Sequence, residues 1–328
     1  MKKTPSQILQ TPAVRALVAL LLVLAYGVAR NGNGAFFRFG THRDMLRSVS
    51  VYGLLACGLT LVVISGGIDL AVGSILALGA VFFSLATIHW GWSPALAIPA
   101  TLALGAAVGA VSGLLVSWGR FQPFIATLAA MVTARGLAKE ISDNQKVSTV
   151  VTMADGTSKS APLPKVFGMI DQRVLGDNVA VVTLIFLAVF ALTWVLLARH
   201  RWGRELYAIG GNEEASRLSG VPVARAKMLA YVLSGAFAAI AGICQAAQEQ
   251  QGDPEAGAGY ELTAIAIVVI GGTSLTGGRG GVGLTLVGML TIGYLDKILS
   301  LNAVSESTRL ILTGAIVALA VLAQRSRK

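Results

Sequence analysis

The sequence predicts an all-α fold: a polytopic transmembrane bundle of about ten spans, with both termini cytoplasmic and with helices broken by glycine. Three observations predict it. Of 328 residues, 55% are hydrophobic and only 13% charged, about half the charge fraction of a soluble domain. Apolar runs long enough for a hydrocarbon core of ~30 Å recur along the whole chain. The lysines and arginines behind the net charge of +10 are spread among loops with no aromatic residues interleaved, so they mark topology and exclude a nucleic-acid surface.

Taken in order, the spans fall at residues 12–29, 49–66, 70–88, 94–117, 121–140, 178–199, 226–247, 260–274, 280–299 and 305–323 of a single domain covering 1–328. The first apolar run lacks a small-residue cleavage site and reads as a retained helix, not a signal peptide. Cys57 and Cys244 lie in apolar runs, where they behave as small hydrophobes and imply neither a disulfide nor a metal site. Basic residues set the direction: Lys2 and Lys3, then Arg199, Arg201, Arg204, Arg217, Arg225 and Lys227, then Arg325, Arg327 and Lys328 should all be cytoplasmic. The number of crossings between these groups is even, as that placement requires. Residues 30–48, with Arg30, Arg38, Arg43 and Arg47, then fall outside and are expected as a short amphipathic surface helix. The polar stretch of about 141–176 suits an outer loop or hairpin. Arg15, Arg135, Lys139, Glu261, Asp296 and Lys297 lie in or near spans, most of them close enough to an end to snorkel.

The inner loop, about 200–226, encodes one isolated short helix. Asn212 is placed to N-cap it, Glu213 and Glu214 put negative charge in its first turn, and Gly220 can close it in a left-handed conformation. Pro222 can open the next helix. So short a helix is marginal alone in water, so either it is an ordinary capped loop helix or another protein packs on it.

The run VVISGGIDLAVGSILALG at 62–79 holds Ser65, Gly66, Gly67 and Asp69 at its centre. It is echoed by VVIGGTSLTGGRGGVGLTLVG at 268–288, with Gly271, Gly272, Thr273 and Ser274. Paired glycine interruptions in two halves of a transporter point to a translocation site, and chance likeness between glycine-rich helices is the competing reading. Asp69 reads either as a cap for the helix that restarts near Leu70, the favoured role, or as a cavity or proton-relay residue.

Four ordered motifs now resemble a known family: GLTLVVISGGIDLAVGSILALGA at 58–80, FQPFIATLAAMVTARG at 121–136, RWGRELYAIGGNEEASRLSGV at 201–221 and AIVVIGGTSLTGGRGGVG at 266–283. The chain resembles, from about Val49 to Arg325, the permease subunits of ribose/galactose/xylose-type ABC sugar importers. The resemblance implies a bacterial inner-membrane subunit that pairs with a second permease copy or paralogue. It would receive a monosaccharide from a periplasmic binding protein and be driven by a cytoplasmic ATPase with two nucleotide-binding halves, which alone would bind ATP. It also implies that Asn212–Gly220, with Asn212, Glu213, Glu214, Ala215, Arg217, Leu218 and Gly220, is the coupling helix that fits the ATPase. The stretch departs from the most widely quoted coupling pattern in reading Glu214, Ala215, Ser216 and then Gly220.

No lysine in the chain follows a glycine, so the Gly-Lys of a phosphate-binding loop is absent and no cofactor is expected. Nor is there a His-Glu zinc pattern or a nucleophile elbow, which argues against a membrane enzyme. The alternative is an ion-coupled secondary transporter of a small polar solute, with Asp69 as the coupling carboxylate.

Overall fold

Helices carry most of the chain, which a computed structural model describes over residues 11–152 and 158–325. The orientation signals Lys2, Lys3, Arg327 and Lys328, and the centre of the 141–176 stretch, lie outside the described residues. The order is α1 (Pro12–Ala29), α2 (Phe39–Ile64), α3 (Val72–Ser84, continued by a π-helical turn to His89), α4 (Pro94–Ser117) and α5 (Pro123–Ile141). A hairpin of β1 (Val150–Thr152) and β2 (Ser158–Ser160), a short α6 (Lys165–Asp171) and a second hairpin of β3 (Arg173–Val174) and β4 (Val179–Ala180) follow. Then come α7 (Val181–Ala198), α8 (Arg201–Gly211), α9 (Glu213–Leu218), α10 (Val223–Glu249), α11 (Tyr260–Ile270), α12 (Val282–Leu301) and α13 (Glu306–Arg325).

Seven of these, α1 to α4, α7, α10 and α12, are long and apolar enough to cross a membrane by length and composition. The expected span 121–140 is helical as α5, but Arg135, Lys139 and Glu140 crowd its second half. The expected span 260–274 stops at Ile270 after 11 residues, about 16 Å of helix and only half a bilayer. The span predicted to begin at 49 begins at Phe39 instead, so residues 30–48 divide between a 3₁₀ turn, Ala35–Phe37, and the first turns of α2. Ion pairs explain the longer helix. Arg47 pairs with Asp171, Asp44 with Arg173, and Arg43 with Asp177 at 3.5 Å, so the charged turns lie against the 165–180 segment instead of floating on a surface.

α10 is the hub, packed on α2, α3 and α4. Gly105, Gly109 and Gly113 make a stripe of small residues along one face of α4, and the backbone of α10 comes so close that a Cβ on Gly113 would sit 3.1 Å from the Met228 Cα. In lipid, where burial supplies no drive between helices, such close backbone approach is a main source of association.

Arg135 does not snorkel. Its Nη1 turns inward and donates to the carbonyls of Pro254 at 2.5 Å and Ala256 at 2.8 Å. Beside it, Val147 and Gly252 exchange backbone hydrogen bonds, and Lys146 pairs with Asp253 at 2.9 Å. Partial burial works against ionising Asp253, but the hydrogen bonds from Lys146 and the Glu255 N–H, with the nearby Lys146 and Arg135 charges, together outweigh it and hold the carboxyl below the usual range; the Lys146–Asp253 hydrogen bond also raises the Lys146 ammonium. The Asp253 contribution to holding this turn is therefore present above the unfolded carboxyl range and lost as pH falls through its depressed value.

Candidate functional site

Two helix ends in the bundle are built alike. Beyond Ile64, the Gly66 N–H donates to Val63 O at 2.9 Å and the Gly67 N–H to Val62 O at 3.0 Å, with Gly66 left-handed at φ +80°. Beyond Ile270, the Gly272 N–H donates to Val269 O at 2.9 Å and the Thr273 N–H to Val268 O at 3.1 Å, with Gly272 at φ +101°. Both are Schellman closures, which satisfy two terminal carbonyls and favour a residue without Cβ at the left-handed position. The repeated Val-Val-Ile thus marks equivalent last turns. Their register pairs Gly66 with Gly272, one residue away from the alignment of the two Gly-Gly pairs.

These two ends touch. The Gly278 N–H donates to Ile64 O at 2.9 Å, so a carbonyl left open at the end of α2 is satisfied by the loop that follows α11. Gly277 lies against both Gly66 and Gly210, where a Cβ would come within 2.9 Å of either Cα. Gly210, near the end of α8, completes the junction: a Cβ there would collide with the Ile64 carbonyl oxygen and the Gly278 nitrogen. About one turn earlier, the Tyr207 hydroxyl donates to Gly280 O at 2.9 Å. Of the remaining break residues, Ser65 is buried and donates to Val62 O at 2.7 Å, Thr273 is buried and accepts from the Gly281 N–H at 3.4 Å, and Ser274 shares a 2.8 Å bond with Thr276. Gly271 packs on the Leu284 carbonyl of α12.

From Gly67 a short non-helical segment carries Asp69 to a fully buried position. Its Oδ1 accepts from the Ala71 N–H at 3.0 Å and its Oδ2 from the Ser234 hydroxyl at 2.7 Å. The expected helix cap is therefore modified. The N-cap position belongs to Ala71, without a side-chain bond, and the carboxylate forms an Asx-type turn two residues on while bridging to α10. Asp69→Asn keeps an acceptor for Ala71 and a group that Ser234 can partner, so thermal unfolding should change little. Asp69→Leu leaves two buried donors unmatched and should destabilise by about 2 kcal/mol or more.

α9 sits at the end of the molecule that carries Gly210. Asn212 Oδ1 accepts from the Ala215 N–H at 2.9 Å, Arg217 bridges Glu213 at 3.1 Å and Glu214 at 2.9 Å, and Gly220 has φ +80°. Ser216 is the one buried residue of α9, while Leu218 stands 81% exposed. Glu213 also reaches Lys227 at 2.5 Å, and that lysine side chain is only 10% exposed. Lys227, Tyr231 and Ser234 occupy one face of α10, at spacings of four and three. Lys227 holds α9, the Tyr231 hydroxyl donates to Ile68 O at 3.4 Å, and Ser234 holds Asp69. One helix face thus links the exposed short helix to the first break, and α8 links it to both breaks. Nothing in the sequence distinguishes the packed Gly210 from its neighbour Gly211; Lys227 stood out only as a basic residue that orients the loop, and Tyr207, Tyr231 and Ser234 were not singled out.

Residues 43–321 match the profile of the family described as the branched-chain amino acid transport system / permease component. The chain belongs to this permease family. It is similar to the ribose import permease protein RbsC of Escherichia coli (strain K12), at 40% identity covering 96% of this chain and 94% of that protein. The RbsC of Bacillus subtilis (strain 168) is 41% identical, covering 87% and 84%. The xylose transport system permease protein XylH of E. coli (strain K12) is 32% identical, covering 94% and 89%. No solved structure matches. The four motifs and the family match agree on a permease subunit of an importer, and Asp69 in this permease is engaged by two internal donors.

Proposed function

We propose that this permease is the membrane subunit of a bacterial ABC importer for a monosaccharide. It crosses the inner membrane about ten times with α9 and both termini on the cytoplasmic side. A periplasmic binding protein delivers the sugar, a separate ATPase with two nucleotide-binding halves docks on α9, and a second permease copy or paralogue completes the path. The observation that carries this reading is the seat of α9: a capped helix of six residues, exposed on nearly every side, with a bare leucine at its tip and a buried lysine at its base. An exposed apolar side chain on so small an element fits a pocket in a partner.

Movement of the ATPase against Leu218 and Glu214 would pull α9. Lys227 and α8 would pass that displacement to the two Schellman ends, so Ser65, Gly66, Gly67 and Gly271 to Ser274 act as the inner gate of the path. Asp69 fastens the first break to α10. Relatives named for ribose, fructose and xylose support a small sugar as cargo over the amino acids in the family description.

Purification of the tagged permease from its host in detergent, with its companions identified by mass spectrometry, tests the assembly. A double-nucleotide-binding ATPase should co-purify, and proteoliposomes holding the complex should take up ribose, fructose or xylose when given the binding protein and ATP. Asp69→Asn should transport in that assay. A permease that purifies alone, takes up sugar with an ion gradient and no ATP, and loses uptake in Asp69→Asn would be a secondary transporter instead.

A further inference from the structure

A third interruption lies between the spans predicted at 226–247 and 260–274. α10 ends at Glu249, and Gly252 lies beside the far end of α3, where its Cβ would come 2.8 Å from the Val81 Cα. Five residues later Gly257 lies at the near end, its own Cβ position 2.6 Å from the Gly73 carbonyl oxygen. The chain has descended along α3 by eight residues of helix, about 12 Å. Gly73 in turn is only four residues past Asp69, whose partner Ser234 is eleven residues into the 27-residue α10; at 1.5 Å per residue that is roughly 16 Å from one end of a helix ~40 Å long. The turn at 250–259 therefore re-enters the bundle and reaches mid-bilayer depth. From there α11 runs out over half a span, which is why it is so short.

At that depth Ala258 and Gly259 are exposed, and Leu262, in the first turn of α11, is 60% exposed. Non-helical backbone facing lipid would leave peptide groups without hydrogen-bond partners, so irregular chain at this level must face either protein or water. The turn is also fixed in place: Arg135 holds the Pro254 and Ala256 carbonyls, and Lys139 pairs with Glu255 at 2.5 Å. Next to the open edge stand three side chains that suit a polyhydroxyl ligand, two phenols and a carboxylate. The Tyr52 and Tyr260 rings pack at 4.5 Å between centroids and 41° between planes, both only partly buried. The half-buried Glu261 carboxylate lies against Gly73, where any Cβ would collide with it.

We propose that this edge lines the aqueous path and that Tyr52, Tyr260 and Glu261 form a transient station for the hydroxyl groups of a passing sugar. Aromatic rings present an apolar face to the C–H face of a sugar and a hydroxyl to its rim, and a carboxylate accepts charge-assisted hydrogen bonds from vicinal hydroxyls. The proposal rests on the importer reading. It adds a contact site deeper than the gate formed by the two Schellman ends.

The test uses the whole importer, permease with ATPase and binding protein, in proteoliposomes. Ala258→Cys and Leu262→Cys are exposed to a membrane-impermeant cationic thiol reagent beside Leu22→Cys, whose parent residue is 66% exposed on the peripheral α1; the native Cys57 and Cys244 are buried. Ala258→Cys and Leu262→Cys should react much faster than Leu22→Cys, and an excess of the transported sugar should slow them. Labelling no faster than that of Leu22→Cys would overturn the aqueous path at this edge. Glu261→Gln should raise the KM for uptake about tenfold or more, the effect of losing a hydrogen bond to a charged acceptor, whereas Glu140→Gln, at an exposed carboxylate of α5, should leave it unchanged. An unchanged KM in Glu261→Gln would overturn the sugar station even where the cysteines react. Failure of the importer reading is separable, because it appears in the unmodified complex as an absence of ATP-driven uptake.

Discussion

Reversing both acidic residues of α9, Glu213→Lys with Glu214→Lys, is expected to abolish sugar uptake and to cut retention of the ATPase on the tagged permease by at least about tenfold, equivalent to about 1.4 kcal/mol. The two positions act differently. Glu213 bonds Arg217 and the buried Lys227, so a lysine there sets like charges against each other and frees α9 from α10. Among the described residues Glu214 pairs with Arg217 alone, and it is exposed, so its reversal alters what the partner meets and leaves the seat intact. Two lysines in the first turn also oppose the helix dipole. Glu213→Lys alone should therefore lower both the unfolding temperature and ATPase retention, and Glu214→Lys alone mainly the latter. Quantitative pull-down with uptake in proteoliposomes reads both, and an undiminished complex in the double variant would remove α9 from the docking role.

Gly210→Ala and Gly211→Ala should differ sharply although the residues are adjacent on one helix. A methyl on Gly210 meets the Ile64 carbonyl and the Gly278 backbone, neither of which can yield without opening the junction of the two breaks, whereas nothing lies within 4 Å of the same position on Gly211. Overpacking against backbone places Gly210→Ala at about 3 kcal/mol of destabilisation or more. Gly211→Ala should be neutral or stabilising by up to ~1 kcal/mol through the unfolded chain. Thermal unfolding in detergent decides the matter. Equal behaviour of the pair would mean that α8 does not clamp the breaks.

Much of this architecture was legible from composition and punctuation. Asn212, the two glutamates and Gly220 announce a short capped helix because caps act on their immediate neighbours, and the structure shows Asn212 bonding Ala215 and Gly220 left-handed. The two Val-Val-Ile repeats were visible for the same reason, since a Schellman end is local. Their register was not, because a glycine pair leaves open which member takes the left-handed position. Helix starts set by distant ion pairs, such as the extension of α2 to Phe39 by Arg47 and Asp171, left no local mark. The short α11 was hidden as well: an apolar run over residues 264–270 reads as part of a full span, and only the descent of residues 252–257 along α3 shows that the start of α11 is already deep.

The sequence alone determined that the chain is a helical membrane protein of this permease family, where most of its apolar helices lie, and which loop holds a free-standing capped helix. Those features follow from hydropathy over about 20 residues and from capping within a single turn. Only the tertiary structure decided that both glycine breaks meet at Gly210, that α10 ties α9 to Asp69 along one face, and that the turn at 250–259 enters the bundle. Each of these depends on backbones approaching closely between residues far apart in the chain, and a glycine's sequence neighbours carry no record of what will pack against it.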